Sequence, residues 1–248
     1  MIPRTLAAAA ADLAAGPRPV LFLNTCDLLN LLQVVTTIPV RELRAVNHLL
    51  DALAAAPRCC QPVITWVTAA EFFQKTDAAN PVYVRDSQGQ RLPPDEVVFQ
   101  LARIDAQVKR LHEVRQELGI PLPAPTQYSK LSLLADLQAT AEMLLDVCWV
   151  LERDQACVNA AVQRVFDRRR PSHRREVKDS IHLEHCLDLA RRVRQLGFAD
   201  PILFVSANRN DYGPAVGHQP HPEMQSEFAA VPMTYHDSLG SAIAQLGI

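Results

Sequence analysis

The segment Val20–Leu32 reads VLFLNTCDLLNLL, and it decides the fold. Val20 to Leu23 form an apolar run with no helical alternation. Asn24-Thr25-Cys26-Asp27 interrupts it, and Leu28, Leu29, Leu31 and Leu32 then return at helical spacing. The run predicts a buried strand ending at Leu23, and the later spacing predicts a helix that starts around Thr25. In open α/β sheets, ligands bind outside the carboxyl ends of the strands, near helix N-termini. Asn24 and Asp27 therefore stand where chemistry is expected. A plain N-cap role for Asn24 or Thr25 accounts for the same polar residues.

The 248 residues, 48% of them hydrophobic, suffice for a sizeable core in one large domain or two small ones. A formal net charge of −2 supplies no global field toward nucleic acid or membrane, so any basic surface must be local. Six cysteines without a C-x-x-C pair read as buried free thiols of a reducing compartment. The Ala-rich segment 1–16 lacks the apolar core of a signal peptide and reads as an amphipathic helix. No window reaches the ~18 apolar residues of a membrane span. A soluble, cytoplasmic protein that does not engage membranes is expected.

Farther along, Arg41–Ala56 carries Leu43, Val46, Leu49, Leu50 and Leu53 at helical spacing, and Pro57 ends it. Pro62–Thr68, PVITWVT, reads as a strand or as an extended run that starts a helix, with Glu71 in the next turn. Asn80–Pro94 is a loop by its Pro and Gly content. Helical periods follow over Asp95–Leu118, Tyr128–Leu151 and Gln155–Phe166. Arg168–Arg175, RRRPSHRR, holds five Arg in eight residues. It is either a solvated loop or a phosphate-contacting one, since Arg binds phosphate bidentately. Glu176–Leu196 is a helix with Lys178, Asp179 and Ser180 at its start, and Pro201–Ser206 is a second continuous apolar run. That run ends in ANRNDYG, Ala207–Gly213. Ala229–Tyr235 reads as an edge-like last strand and Ser238–Leu246 as a closing helix.

In a parallel sheet both strand-end clusters face one cleft. Asn24, Asp27, Glu71, Asp179, Asn208 and Asp211 gathered there make an oxygen-rich, His-poor site. Hard oxygen ligands suit Mg²⁺ or Mn²⁺ better than Zn²⁺. With Arg nearby, the matching chemistry is metal-assisted phosphodiester hydrolysis, in which the metal activates a water and stabilises charge on the phosphate. The competing reading is that acids at helix starts only complement the helix dipole. His182 and His185 share a helix face near Asp179, where packing or substrate orientation is favoured over metal ligation.

FLNTCDLLNLL, the Glu71 turn in ITWVTAAEFF, KDSIHLEHCLDLA and LFVSANRNDYG together resemble a PIN-domain (PilT N-terminus-like) nuclease of the larger bacterial PIN-like branch. The resemblance covers Val20–Phe73 in outline and Glu176–Gly213 closely. It implies an α/β three-layer sandwich with a central, mostly parallel sheet. Residues 1–248 would form a single PIN-like domain, with 93–170 as a mainly helical insertion. It also implies a Mg²⁺- or Mn²⁺-dependent endonuclease, with RNA before DNA as substrate. Carried over, the catalytic and metal-binding positions are Asn24, Glu71, Asp179 and Asp211, with Asn208 as a further metal ligand or orienting group. Thr25, Asp27 and Ser206 are auxiliary. Lys178, Arg168, Arg169, Arg170, Arg174 and Arg175 would meet phosphates. Single-stranded or structured RNA is the implied partner, and a protein regulator or antitoxin and a homo-oligomer are compatible with it.

Asn24 departs from the family pattern, which has Asp there. An amide oxygen can coordinate a metal but brings no charge. Three explanations stand: Asp27 supplies the charge, the chain is a catalytically degenerate binder of RNA or protein, or Asn was introduced to silence a nuclease. A small-molecule phosphohydrolase on a related sheet is a third class of function.

Overall fold

The computed structural model describes residues 1–32, 40–55, 59–76, 106, 108–110, 113–114, 117, 133–171, 177–213 and 219–248. The chain opens with β1 (Ile2–Arg4), α1 (Leu6–Ala15), β2 (Val20–Leu23) and α2 (Thr25–Leu32). α3 (Arg41–Ala54), β3 (Gln61–Thr65) and α4 (Trp66–Thr76) follow. Then come α5 (Leu133–Val147), β4 (Trp149–Leu151), α6 (Gln155–Phe166) and α7 (Val177–Gln195). β5 (Ile202–Val205), α8 (Arg209–Tyr212), α9 (Pro222–Ala230), β6 (Thr234–His236) and α10 (Leu239–Leu246) complete the described chain.

The six strands form one sheet in the order β1-β4-β3-β2-β5-β6, and every pairing is parallel. The apolar run Val20–Leu23 is the reason for its position. Val20 and Phe22 pack into the core under α1, α7 and α9, while Leu21 and Leu23 pack into the core under α2, α3, α5 and α10. A strand buried on both faces needs no polar alternation. Helix layers on both faces make a three-layer α/β sandwich.

Pro62 is tolerated inside the sheet because of its register. The Gln61 N–H donates to the Pro19 carbonyl on the β2 side, so residue 62 has its nitrogen on the β4 side. There, pairing begins only at Val63.

Two expectations change. Residues 2–4 form a strand ahead of the N-terminal helix, because Ile2–Arg4 pairs with Trp149–Leu151 at the sheet edge. Trp149–Leu151 does not continue the preceding helix but is β4, an interior strand between β1 and β3. Residues 133–170 are otherwise mainly helical, with this strand between α5 and α6. Residues 93–105, where much of the remaining expected helix falls, lie outside the described residues.

Strand order positions the site. From β2 the chain moves through β3 to β4 on one side, then returns to place β5 and β6 on the other. β2 and β5 are neighbours, with Leu23 opposite Val205. The order reverses between them, and a crevice opens at such a switch point, outside the carboxyl ends of the strands. Asn24 and Ser206 are the next residues on each side.

Candidate functional site

The two turns that leave β2 and β5 are stitched together. Asn24 Oδ1 accepts the Thr25 N–H at 2.7 Å, and Asn24 Nδ2 donates to Ser206 Oγ at 3.1 Å. Ser206 Oγ also accepts the Asn208 N–H at 3.2 Å and lies 3.4 Å from Cys26 Sγ. Asp27 bridges the same gap: one carboxylate oxygen accepts the Asn24 N–H at 3.1 Å and the other the Ala207 N–H at 3.0 Å. Burial pushes the Asp27 carboxyl up to about 7, against the lowering effect of those two backbone donors. Asp27 is thus a structural tie between turns, and both of its oxygens are occupied.

The ANRNDYG cluster folds into the short helix α8. Asn208 Nδ2 donates to Asp211 Oδ2 at 2.7 Å, which holds the buried Asp211 beside the crevice. Tyr212 packs its ring on Phe204 of β5, with centroids 5.0 Å apart. Its hydroxyl donates to the Asp179 carbonyl at 2.9 Å and reaches Asp179 Oδ1 at 3.3 Å. Burial, together with the Asp179 charge, pushes the Tyr212 hydroxyl well above its usual value, so it stays a donor. Gly213 is required by a close approach. A Cβ there would stand 2.5 Å from the Tyr235 ring, whose hydroxyl donates to the Ser206 carbonyl at 2.8 Å.

Glu71 arrives on α4. Its carboxylate pairs with Lys75 Nζ at 2.5 Å and Lys178 Nζ at 3.9 Å, and it hydrogen-bonds with Thr25. Burial works to raise the Glu71 carboxyl, but Lys75, Thr25 and Lys178 outweigh it and hold it below its usual value. One helical turn earlier, Thr68 anchors α4: the oxygens of Thr65 and Thr68 lie 3.2 and 3.1 Å from His182 Nδ1. His182 stands one turn after Asp179, so this buried contact joins the two helices that carry Glu71 and Asp179. Burial, with His185 adding, pushes His182 down to about 3, which keeps it neutral. His185 is turned inward as well, with Nδ1 2.7 Å from the Ile181 carbonyl and Nε2 accepting the Asp154 N–H. Both rings therefore pack, and they do not form a metal-binding pair.

Asn24, Asp179 and Asp211 are thus linked to the turns at the carboxyl ends of β2 and β5 and Glu71 reaches Thr25, yet Glu71, Asp179 and Asp211 do not form one metal-holding group. Among the described residues, no three His, Cys, Asp or Glu side chains form a group that could hold a metal ion. Asn24 has both ends of its amide committed, and Glu71 is already neutralised by two lysines. Oxygen donors of the right chemical type are present, but as arranged they do not fit a resident Mg²⁺ or Mn²⁺.

The basic run divides. Arg169 pairs with Glu227, and Arg170 donates to the Asn210 carbonyl, so these two arginines build the fold. Arg168 is exposed. Lys178 is half-exposed beside Glu71. Arg174 and Arg175 lie outside the described residues. A cavity of about 240 Å³ opens on the other side of Asp27, lined by Arg41, Glu42, Arg209, Asp237 and Ser238. There Arg209 pairs with Asp237 at 2.5 Å, and Glu42 accepts the Leu239 and Gly240 N–H groups at the start of α10.

Sequence reasoning missed the groups that hold the acids in place: Tyr212, Tyr235, and the Thr65–Thr68–His182 contact. The spacing of His182 from Asp179 was visible, but nothing local paired it with two threonines more than a hundred residues away.

Comparison with protein-family models, with curated proteins and with solved structures gave no match for this chain.

Proposed function

We propose that this chain is a PIN-like domain that acts on RNA at the crevice between the ends of β2 and β5. It is built on the plan of a metal-dependent endoribonuclease, but the amide at position 24 restricts it to binding with little cleavage. The observation that carries this reading is the switch point itself. The segments that resemble the nuclease, Asn24–Asp27 and Ser206–Gly213, are the two turns tied across it by the Asn24–Ser206 and Asp27–Ala207 hydrogen bonds. Asp179 joins them through Tyr212, and Glu71 through Thr25.

The loss of cleavage is supported by charge. Position 24 brings none, and the Glu71 charge is spent on Lys75 and Lys178. Arg168, exposed, supplies a cation for phosphate contacts, and Lys178, half-exposed, can exchange its long pairing with Glu71 for a phosphate; phosphate contacts supply most of the affinity for a nucleic-acid backbone.

The test uses labelled single-stranded RNA in Mn²⁺ with the chain as it stands, an Asn24→Asp variant, and that variant carrying Asp179→Ala. RNA binding by the first, cleavage by the second and loss of cleavage in the third are expected. Absence of RNA binding in all three overturns the proposal. Binding without cleavage by Asn24→Asp favours a second reading, a fully degenerate binding domain. The commitment of Glu71 to two lysines is the observation on its side.

A further inference from the structure

Phe166 is 77% exposed, more than any other large apolar side chain among the described residues. It closes α6 and immediately precedes the basic turn. That turn is a built structure. Arg164, 3% exposed, lies beneath it, paired with Glu184 and Glu227, and donates to the Arg170 carbonyl at 2.6 Å. The Arg169 N–H donates to the Arg164 carbonyl and the Arg168 N–H to the Val165 carbonyl. The Arg169 side chain is tied to Glu227, and the Arg170 side chain to Asn210. Asp167 accepts from Gln163 at 2.8 Å. Arg168 adopts a φ of 54°, in the left-handed region that a non-glycine residue rarely enters. The surrounding contacts hold it there. Its side chain is exposed and has no hydrogen bond or ion pair among the described residues.

The turn therefore offers one exposed aromatic ring and one exposed guanidinium, two residues apart. The Arg170–Asn210 hydrogen bond fixes this pair to α8, which carries Asp211. We infer that Phe166 and Arg168 form a landing platform for single-stranded RNA, with one base stacked on the Phe166 ring and a neighbouring phosphate held by Arg168. This rests on the reading of the crevice as an RNA site and adds how the strand approaches it. A ring stacks on any base, so the platform favours unpaired strand without choosing sequence. Arg supplies the phosphate charge, and the paired Arg169, Arg170 and Arg164 supply rigidity. A second copy of the chain is the weaker occupant. On α6 only Val162 (40% exposed) joins Phe166 as an exposed large apolar residue, far short of the roughly 1,200 Å² that a stable interface buries.

The test is fluorescence anisotropy of the full chain with a labelled single-stranded RNA and with an abasic strand of the same length. Phe166→Ala weakens RNA binding about 5- to 160-fold and leaves binding to the abasic strand unchanged, while Phe166→Trp retains RNA binding. Arg168→Ala weakens both strands and makes the slope of log K against log salt shallower by about 0.7. Equal RNA affinity for Phe166→Ala and the parent chain overturns the platform but leaves the crevice reading standing. So does equal loss on both strands. No RNA binding by the parent chain overturns the crevice reading itself and the platform with it. Concentration-dependent dimerisation abolished by Phe166→Ala, with RNA affinity unchanged, replaces the platform with a self-association surface.

Discussion

Asn24 Nδ2 donates to Ser206 Oγ at 3.1 Å across the boundary between β2 and β5, so this uncharged amide closes the switch point. An aspartate there would keep an acceptor for the Thr25 N–H but would lose the donor to Ser206. The amide serves structure where a carboxylate would serve a cation.

The Ser206 hydroxyl can turn to donate to that carboxylate, so the cost is the charge: the Asn24→Asp variant is expected to be less stable by about 1–2 kcal/mol in the absence of divalent ions, because it buries a second carboxylate beside Asp27. Mn²⁺ is expected to raise its melting temperature and to leave that of the parent chain unchanged. Thermal unfolding of both proteins with and without Mn²⁺ checks this.

His182 gives the fold an acid sensitivity. Its pKa is lowered by burial from 6.5 to about 3, so the folded state excludes a proton that the unfolded chain takes up. The stability is fully present above pH 6.5 and is lost as pH falls toward 3, by up to about 1.4 kcal/mol per pH unit. A His182→Phe variant removes this contribution. Urea titrations from pH 7 to pH 4 are expected to show a shallower loss of stability in the variant than in the parent chain. Parallel slopes would contradict the assignment.

Arg164 is the buried hub beneath the basic turn, with Glu184 Oε1 at 2.6 Å and Glu227 Oε2 at 3.1 Å. Arg164→Ala leaves Glu184 without its cation and removes the anchor of the Arg170 carbonyl. A loss of about 3 kcal/mol is expected in chemical denaturation, together with faster tryptic cleavage after Arg168 and Arg169. Replacing Arg164 and Glu184 together by apolar residues is expected to recover much of that loss, because the penalty comes from the stranded Glu184 carboxylate, while Glu227 keeps Arg169.

Gly213→Ala pushes a methyl group into the Tyr235 ring and disturbs the hydroxyl that donates to the Ser206 carbonyl. A cost of about 1–3 kcal/mol is expected from overpacking. In Gly213→Ala/Tyr235→Phe the lost hydroxyl removes part of the clash, so the two changes are expected to be non-additive. Equilibrium unfolding of the two single variants and the double variant measures that coupling.

The layered fold was legible because its signals are local. Val20–Leu23 and Pro201–Val205 are apolar without alternation, which only a strand buried on both faces explains. The helices α3, α7 and α10 announce themselves by spacing. β4 was not legible: Trp149-Val150-Leu151 continues a helical apolar period, and three residues carry too little pattern to end it. Pairing on both edges, with β1 and β3, decides its conformation.

The same division runs through the site. By itself the sequence determined which polar residues follow which strands: Asn24 after the first apolar run, and Asn208 and Asp211 after the second. It also determined that position 24 lacks a charge. Only the tertiary structure decided what those groups do there. It tied Asp27 to two backbone N–H groups, gave Glu71 to Lys75 and Lys178, and buried His182 against two threonines. It also spent Arg169 and Arg170 on the fold while leaving Arg168 exposed. The reason is physical. Periodicity reports which face of an element is buried, whereas a charge or amide takes its role from partners that are distant in the chain and meet it only when the sheet closes.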